Sequence, residues 1–208
     1  MNTNPGAFPA RLDVDYPARH LDRLTTFLRP LTVIPIAIVL GLVSGSATHA
    51  ESDTTVIASG GVLFLPTALM LVFRRKYPRW WFDWNLALAR FATRVWAYLA
   101  LLDDAYPSTD EEQAVHLDVA YPDAARDLNR WLPLVKWLLA IPHLVIVALL
   151  SVAAVFCVIV AWVAILFTAR YPRALFDFVV GVLRWWLRVM AYAFLLTTDR
   201  YPPFTLSA

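Results

Sequence analysis

Charge is scarce in this chain. Only 16% of its 208 residues are Asp, Glu, Lys or Arg, and the formal net charge is +2. That excludes a polybasic nucleic-acid binder, because no basic run is interleaved with aromatics on a polar background. One cysteine, Cys157, excludes an intramolecular disulfide and leaves a Cys/His metal box short of ligands. The four histidines, His20, His49, His116 and His143, are scattered without metal-ligand spacing. No nucleophile elbow, phosphate-binding loop or dinucleotide fingerprint occurs, and the one Gly pair, Gly60-Gly61, lies in an apolar run where close helix packing explains it. Asp103, Asp104 and Asp199 read as solvated carboxylates before Tyr-Pro turns rather than as an acid–base set. The expectation is no catalytic residues, no metal and no cofactor. The N-terminus also lacks the short basic stretch and apolar core of a secretory signal, so the first hydrophobic segment reads as a retained anchor.

What is present is apolar surface: 60% hydrophobic residues and nine Trp. Pro30 to Ala50 and Val56 to Phe73 carry no formal charge, and these lengths approach the ~20 helical residues that cross a bilayer. Between them, Ser44 to Thr55 reads as a short polar loop with Glu51 and Asp53. Basic residues flank the pair at Arg11, Arg19, Arg23 and Arg29 and at Arg74, Arg75, Lys76 and Arg79. By the positive-inside rule both ends face the cytoplasm, giving a multi-pass protein of the inner membrane with cytoplasmic termini.

Internal similarity organises the rest. Leu12 to Pro17, LDVDYP, returns as LDVAYP at Leu117 to Pro122. Tyr77 to Leu102 aligned on Tyr171 to Leu196 gives twelve identities in 26 positions. The expected architecture is therefore an all-α integral membrane protein of two tandem repeats with about four transmembrane helices. Residues 1–110 hold a hairpin at 30–73 and an amphipathic helix at 79–102; residues 111–208 hold a hairpin at 131–171 and a helix at 173–196. Tyr-Pro pairs punctuate both copies as helix boundaries. The second hairpin is the weakest element, because Trp137 to Ala169 is 33 charge-free residues, too long for one upright span and short for two. A tight hairpin, with Lys136 and Arg170 snorkelling, keeps the basic groups on one side, although LLSVAAVFCV offers no turn residue.

Each charged helix repeats one stripe: Asp83, Arg90, Arg94 and Tyr98, then Asp177, Arg184, Arg188 and Tyr192. At about 100° per residue these four positions fall on one face. Asp83 and Asp177, early in the helices after Pro78 and Pro172, suit the positive end of the dipole. Two Arg at mid-helix would cost about 5–7 kcal/mol at the bilayer centre, so the helices are expected along the cytoplasmic interface. Guanidinium pairs with carboxylate or phosphate in two-pronged fashion. The stripes could form ion pairs between the copies, meet lipid phosphates or an acidic membrane-protein partner, or line an anion pathway. His143, after Pro142 in an apolar run, reads as a neutral histidine bonded to freed carbonyls or lying beside Lys136.

The apolar run followed by ARYPRALFDFVVGVLRWWLRVMAYAFLLTTDRYPPF resembles a bacterial membrane family, the domain of unknown function numbered four-three-eight-nine. The duplicated arrangement is similar to actinobacterial members. The second copy, Leu117 to Phe204, carries the resemblance, while the first ends LLDDAYPSTDEE without the Pro-Phe close. The resemblance implies a membrane location and no chemistry. The functional expectation is a non-catalytic accessory or scaffold subunit, self-associating or bound to a membrane partner, with lipid or partner contacts at the stripes; the alternative is a small anion channel or transporter.

Overall fold

The structure, a computed structural model, describes residues 8–17, 20–44, 64–109, 111 and 113–207. The loop expected at 44–55, His49, Gly60, Gly61, Arg19 and the first half of the second span lie outside the described residues, apart from Ser44. The order is β1 (Ala10–Val14), α1 (Arg23–Val43), α2 (Phe64–Arg74, closing in a π-helical turn at Met70–Arg74), α3 (Arg79–Leu99), β2 (Val115–Val119), α4 (Pro133–Leu139), α5 (Ile141–Thr168) and α6 (Arg173–Ala193).

The chain is mostly helical, but the all-α expectation needs correcting. The two LDV stretches pair as an antiparallel two-stranded sheet. ARLDV and VHLDV alternate apolar and polar residues with period two, which places Ala10, Leu12 and Val14 and Val115, Leu117 and Val119 on one buried face. Leu12 pairs with Leu117 at the centre, so Arg11 lies opposite Asp118 and Asp13 opposite His116 on the outer face. The inner face joins the main core with Phe82, Phe176, Leu102 and Leu196. α3 packs beside β2 and α6 beside β1.

Helix starts follow local chemistry. The Asp22 carboxylate accepts from the Leu24 N–H at 2.8 Å and caps α1, while Pro78 and Pro172 stand immediately before α3 and α6. Arg75 and Ala169, each ending a helix before a Tyr-Pro pair, have left-handed backbone (φ 48° and 57°) that stops further winding. Asp83 and Asp177 do not cap. They reach back one turn to Arg79 (3.7 Å) and Arg173 (3.8 Å) as exposed pairs.

The expected tight hairpin at 131–171 is not formed, and α5 is continuous over 28 residues. The only break is at Ala140, where α4 hands over to α5 two residues before Pro142 is built into its first turn. Without a turn residue in its middle, the segment has every reason to stay wound. Among the described residues two helices, α1 and α5, are long and apolar enough to cross a membrane, rather than four; the described part of α2, Phe64–Arg74, is shorter. α1 packs on α3 and α5, and α5 on α6, with Ala140 and Val147 near the start of α5 meeting Val189, Tyr192 and Ala193 near the end of α6. The outer face of α5 is apolar and exposed, at Val145, Leu149, Val152, Phe156 and Phe167.

Candidate functional site

The arginine stripes converge on the sheet, Arg184 reaching β1 and Arg90 reaching β2. Arg184 of α6 donates through Nε to the Leu12 carbonyl (2.8 Å) and through Nη2 to Asp13 (2.8 Å). Arg90 of α3 makes the matching contacts, Nε to the Leu117 carbonyl (2.9 Å) and Nη2 to Asp118 (3.3 Å). A guanidinium can do both because its donors are splayed in one rigid plane. The Tyr-Pro pairs cross over in the same sense: the Tyr16 hydroxyl donates to the Tyr171 carbonyl (2.5 Å) and the Tyr121 hydroxyl to the Tyr77 carbonyl (2.6 Å). Tyr16 then meets Phe176 edge-on at 5.0 Å under Arg173, and Tyr121 meets Phe82 at 5.1 Å under Arg79.

The second stripe arginines turn to their own following segments. Arg94 donates to the Ser108 carbonyl (2.8 Å). Arg188 donates to the carbonyls of Thr205 (3.2 Å) and Ser207. Arg188 is nearly buried, and burial first, then the like charge of Arg184 one turn away, pulls it below the ordinary guanidinium range. Tyr98 and Tyr192 are buried beneath cations, Arg29 at 4.3 Å and Lys136 at 5.2 Å from the ring centroids.

Those two cations belong to a second matched set. Arg29 pairs with Asp104 at 2.5 Å and donates to the carbonyls of Tyr98 and Asp103; Lys136 pairs with Asp199 at 2.6 Å and donates to the Thr198 carbonyl. Asp104 and Asp199 also accept from the backbone N–H of Asp22 and Asn129. Lys136 therefore does not snorkel, and Asp104 and Asp199 are not free solvated carboxylates. Burial lowers the Lys136 ammonium below the usual lysine range, with Asp199 opposing the shift. The sequence hint was spacing: Asp22 to Arg29 and Asn129 to Lys136 are each seven apart.

His143 is fully buried, though not against freed carbonyls. Its Nδ1 accepts from the Trp185 indole N–H at 3.1 Å, and its ring stacks on Phe204 at 4.0 Å with Tyr201 at 4.7 Å. Nδ1 as acceptor puts the proton on Nε2, which is buried without a partner. The tail that brings Phe204 also lays Leu206 on Gly181, where an added Cβ would lie 2.9 Å from the Leu206 Cβ.

Beside these contacts lies an open cavity of about 670 Å³. Arg11 and Asp13 of β1, His116 and Asp118 of β2, Arg184 and Arg188 of α6, and Arg200 of the tail supply its polar wall. Among the described residues no group of three or more His, Cys, Asp or Glu is placed to hold a metal ion.

The segment from α4 through the tail thus unites Lys136–Asp199, His143–Phe204, Arg184 and Arg188. Residues 130–205 match the family model described as Domain of unknown function (DUF4389). The DUF4389 segment takes in α4, α5, α6 and the Pro-Phe close, and it stops short of both strands. The acceptors of Arg184 therefore come from outside it. No curated protein and no solved structure matches the chain.

Proposed function

We propose that the chain is a tandem duplication acting as a non-catalytic accessory or scaffold subunit in the bacterial inner membrane, multi-pass with both termini cytoplasmic. The duplication is supported by the matched contacts of Arg90 and Arg184 and of Tyr16 and Tyr121 about the Leu12–Leu117 pair. In this reading the first role of the stripes is to hold the halves to each other, and Arg90–Asp118 and Arg184–Asp13 are the ion pairs between copies.

The observation that carries the function is the apolar outer face of α5. Val145, Leu149, Val152, Phe156 and Phe167 are all more than half exposed, on a helix whose opposite side is committed to α6. An exposed apolar face of that length belongs in lipid or against another protein. α6, by contrast, has its arginines bonded to backbone and carboxylate rather than turned to a shared lumen, which favours a scaffold over an anion pathway.

Intact-complex mass spectrometry of the full chain, extracted in native-like nanodiscs, tests the proposal. More than one copy, or a partner in fixed stoichiometry, is the expected result. A lone monomer that conducts anions in liposomes overturns it in favour of a channel.

A further inference from the structure

Three cations at the junction of α2 and α3 are unclaimed by the fold. Arg74, Arg75 and Lys76 are exposed, and among the described residues no carboxylate pairs with their side chains. From position 74 to position 84 the chain carries four cations, these three and Arg79, against one carboxylate, Asp83, which Arg79 already holds at 3.7 Å. Arg130 adds another from the approach to α4. Its Nε donates to the Val72 carbonyl at 2.6 Å, at the same end of α2, and so meets a dipole rather than a countercharge.

The surroundings of these cations indicate which anion they suit. Leu65, Leu69 and Phe73 form an exposed apolar row along α2, and the row runs directly into Arg74. Past the cations come Trp80 and Trp84, 69% and 40% exposed, and Trp131 lies under the Arg130 guanidinium, 5.3 Å from it. The indoles of α3 are fixed in place: Trp81 donates to Thr67 Oγ1 at 2.8 Å, stacks on Trp84 at 5.4 Å and meets Trp80 edge-on at 5.6 Å. An apolar row giving way to cations and indoles matches the step from hydrocarbon to charged headgroups in one leaflet. A soluble anion makes no use of the apolar row; a phospholipid uses all three parts.

The second half lacks this surface. Aligning Tyr77 on Tyr171 sets Thr168 and Ala169 at the places of Arg74 and Arg75, and Ala174 and Phe178 at those of Trp80 and Trp84; Lys76 alone has a basic match, Arg170. Arg90 and Arg184, which grip the sheet, occur in both halves. The extra cations and indoles are therefore not what the framework requires.

We propose that the α2–α3 junction is a binding surface for anionic glycerophospholipid, with Arg74, Arg75 and Lys76 meeting the phosphate groups and Trp80 and Trp84 lying at headgroup level. Guanidinium fits phosphate through paired donors, and clustered cations at a membrane surface select anionic over zwitterionic lipid. The surface rests on the membrane location proposed above and not on the scaffold role.

The test uses the full chain in nanodiscs of equimolar phosphatidylcholine and phosphatidylglycerol, with retained lipid identified by native mass spectrometry. Phosphatidylglycerol is expected in excess of its share of the bilayer, and the excess should shrink as ionic strength rises. Each cation at a charged membrane surface multiplies such a preference by about fivefold, so Arg74→Gln/Arg75→Gln/Lys76→Gln should lose most of it. Arg170→Gln, at the matching place in the second half, should keep it. Circular dichroism and thermal melting establish that both variants are folded, and the salt dependence of the wild type needs no variant. Retention of the two lipids in the bilayer's own ratio, or an equal excess in wild type and triple variant, overturns the surface and leaves the membrane location standing. A chain that does not enter the discs overturns both.

Discussion

Phe204 lies nearly parallel to His143, ring centroids 4.0 Å apart at 18°, and so anchors the C-terminal tail to the first turn of the long apolar helix. The stack is one wall of a cage completed by Trp185 and Tyr201. Phe204→Ala should lower stability by about 1 kcal/mol, the scale of one aromatic pair beyond its area, because Phe204 itself is half exposed. A downward shift in thermal midpoint with earlier proteolysis of the tail is the expected reading. An unchanged midpoint and an uncut tail would leave the stack without energetic weight.

Tyr77 and Tyr171 occupy matching positions and should respond oppositely to losing a hydroxyl. Tyr77 donates to the Leu195 carbonyl at 2.9 Å, whereas the Tyr171 hydroxyl is buried without a partner. Tyr77→Phe should destabilise by about 1 kcal/mol, and Tyr171→Phe should be neutral or stabilising by a similar amount. Both phenols are held above their ordinary range, chiefly by burial. With the folded pKa raised, the unfolded chain loses its phenolic protons first, so this stability is intact below about pH 10 and falls as pH rises beyond it. Urea titrations at neutral and alkaline pH should show a shallower loss in the double Phe variant.

The buried pair of Lys136 and Asp199 offers a different contrast. Asp199→Asn leaves a fully buried ammonium without its counter-ion and should cost about 3 kcal/mol, while Lys136→Met with Asp199→Leu should recover most of the loss. Equilibrium unfolding of the wild type, the single variant and the double variant decides it. Equal losses in single and double variants would mean that the Asp199 contact to the Asn129 N–H outweighs the ion pair.

Arg184 touches Leu12 and Asp13 with separate donors, and the two contacts should separate on mutation. Asp13 is largely exposed, so Asp13→Ala should cost less than about 1 kcal/mol. Arg184→Ala loses the carbonyl bond as well and should cost about 1–2 kcal/mol, and Arg184→Lys should restore only part, lacking the planar fork. Hydrogen exchange at the β1 amides reports this directly, since fraying of β1 should increase in the order Asp13→Ala, Arg184→Lys, Arg184→Ala.

Much of this was legible in the sequence, for identifiable reasons. The offsets that set Asp83, Arg90, Arg94 and Tyr98 on one face are fixed by helix geometry, and Pro78 and Pro172 announce the helices they precede. The alternation in ARLDV was equally readable as a strand, but five residues gain stability only from a partner, and β2 lies about a hundred positions away. α5 misled through its length: absence of charge measures what a segment can bury, and the missing turn residue was the better guide to its shape. The destinations of Arg29 and Lys136 were hidden because a cation flanking an apolar run looks the same whether it reaches water or a carboxylate brought in by the fold.

The central Leu12–Leu117 pair also orders events during synthesis. Arg90 lies only 27 residues before its acceptor Leu117, so that contact can close as soon as β2 emerges. Leu12 must wait for Arg184, 172 residues later. Until β2 emerges, β1 presents its apolar face and a row of unpaired backbone groups to whatever is nearby. Pairing with β2 then covers one edge of β1, and its Leu12 carbonyl is gripped only when α6, made after β2, arrives.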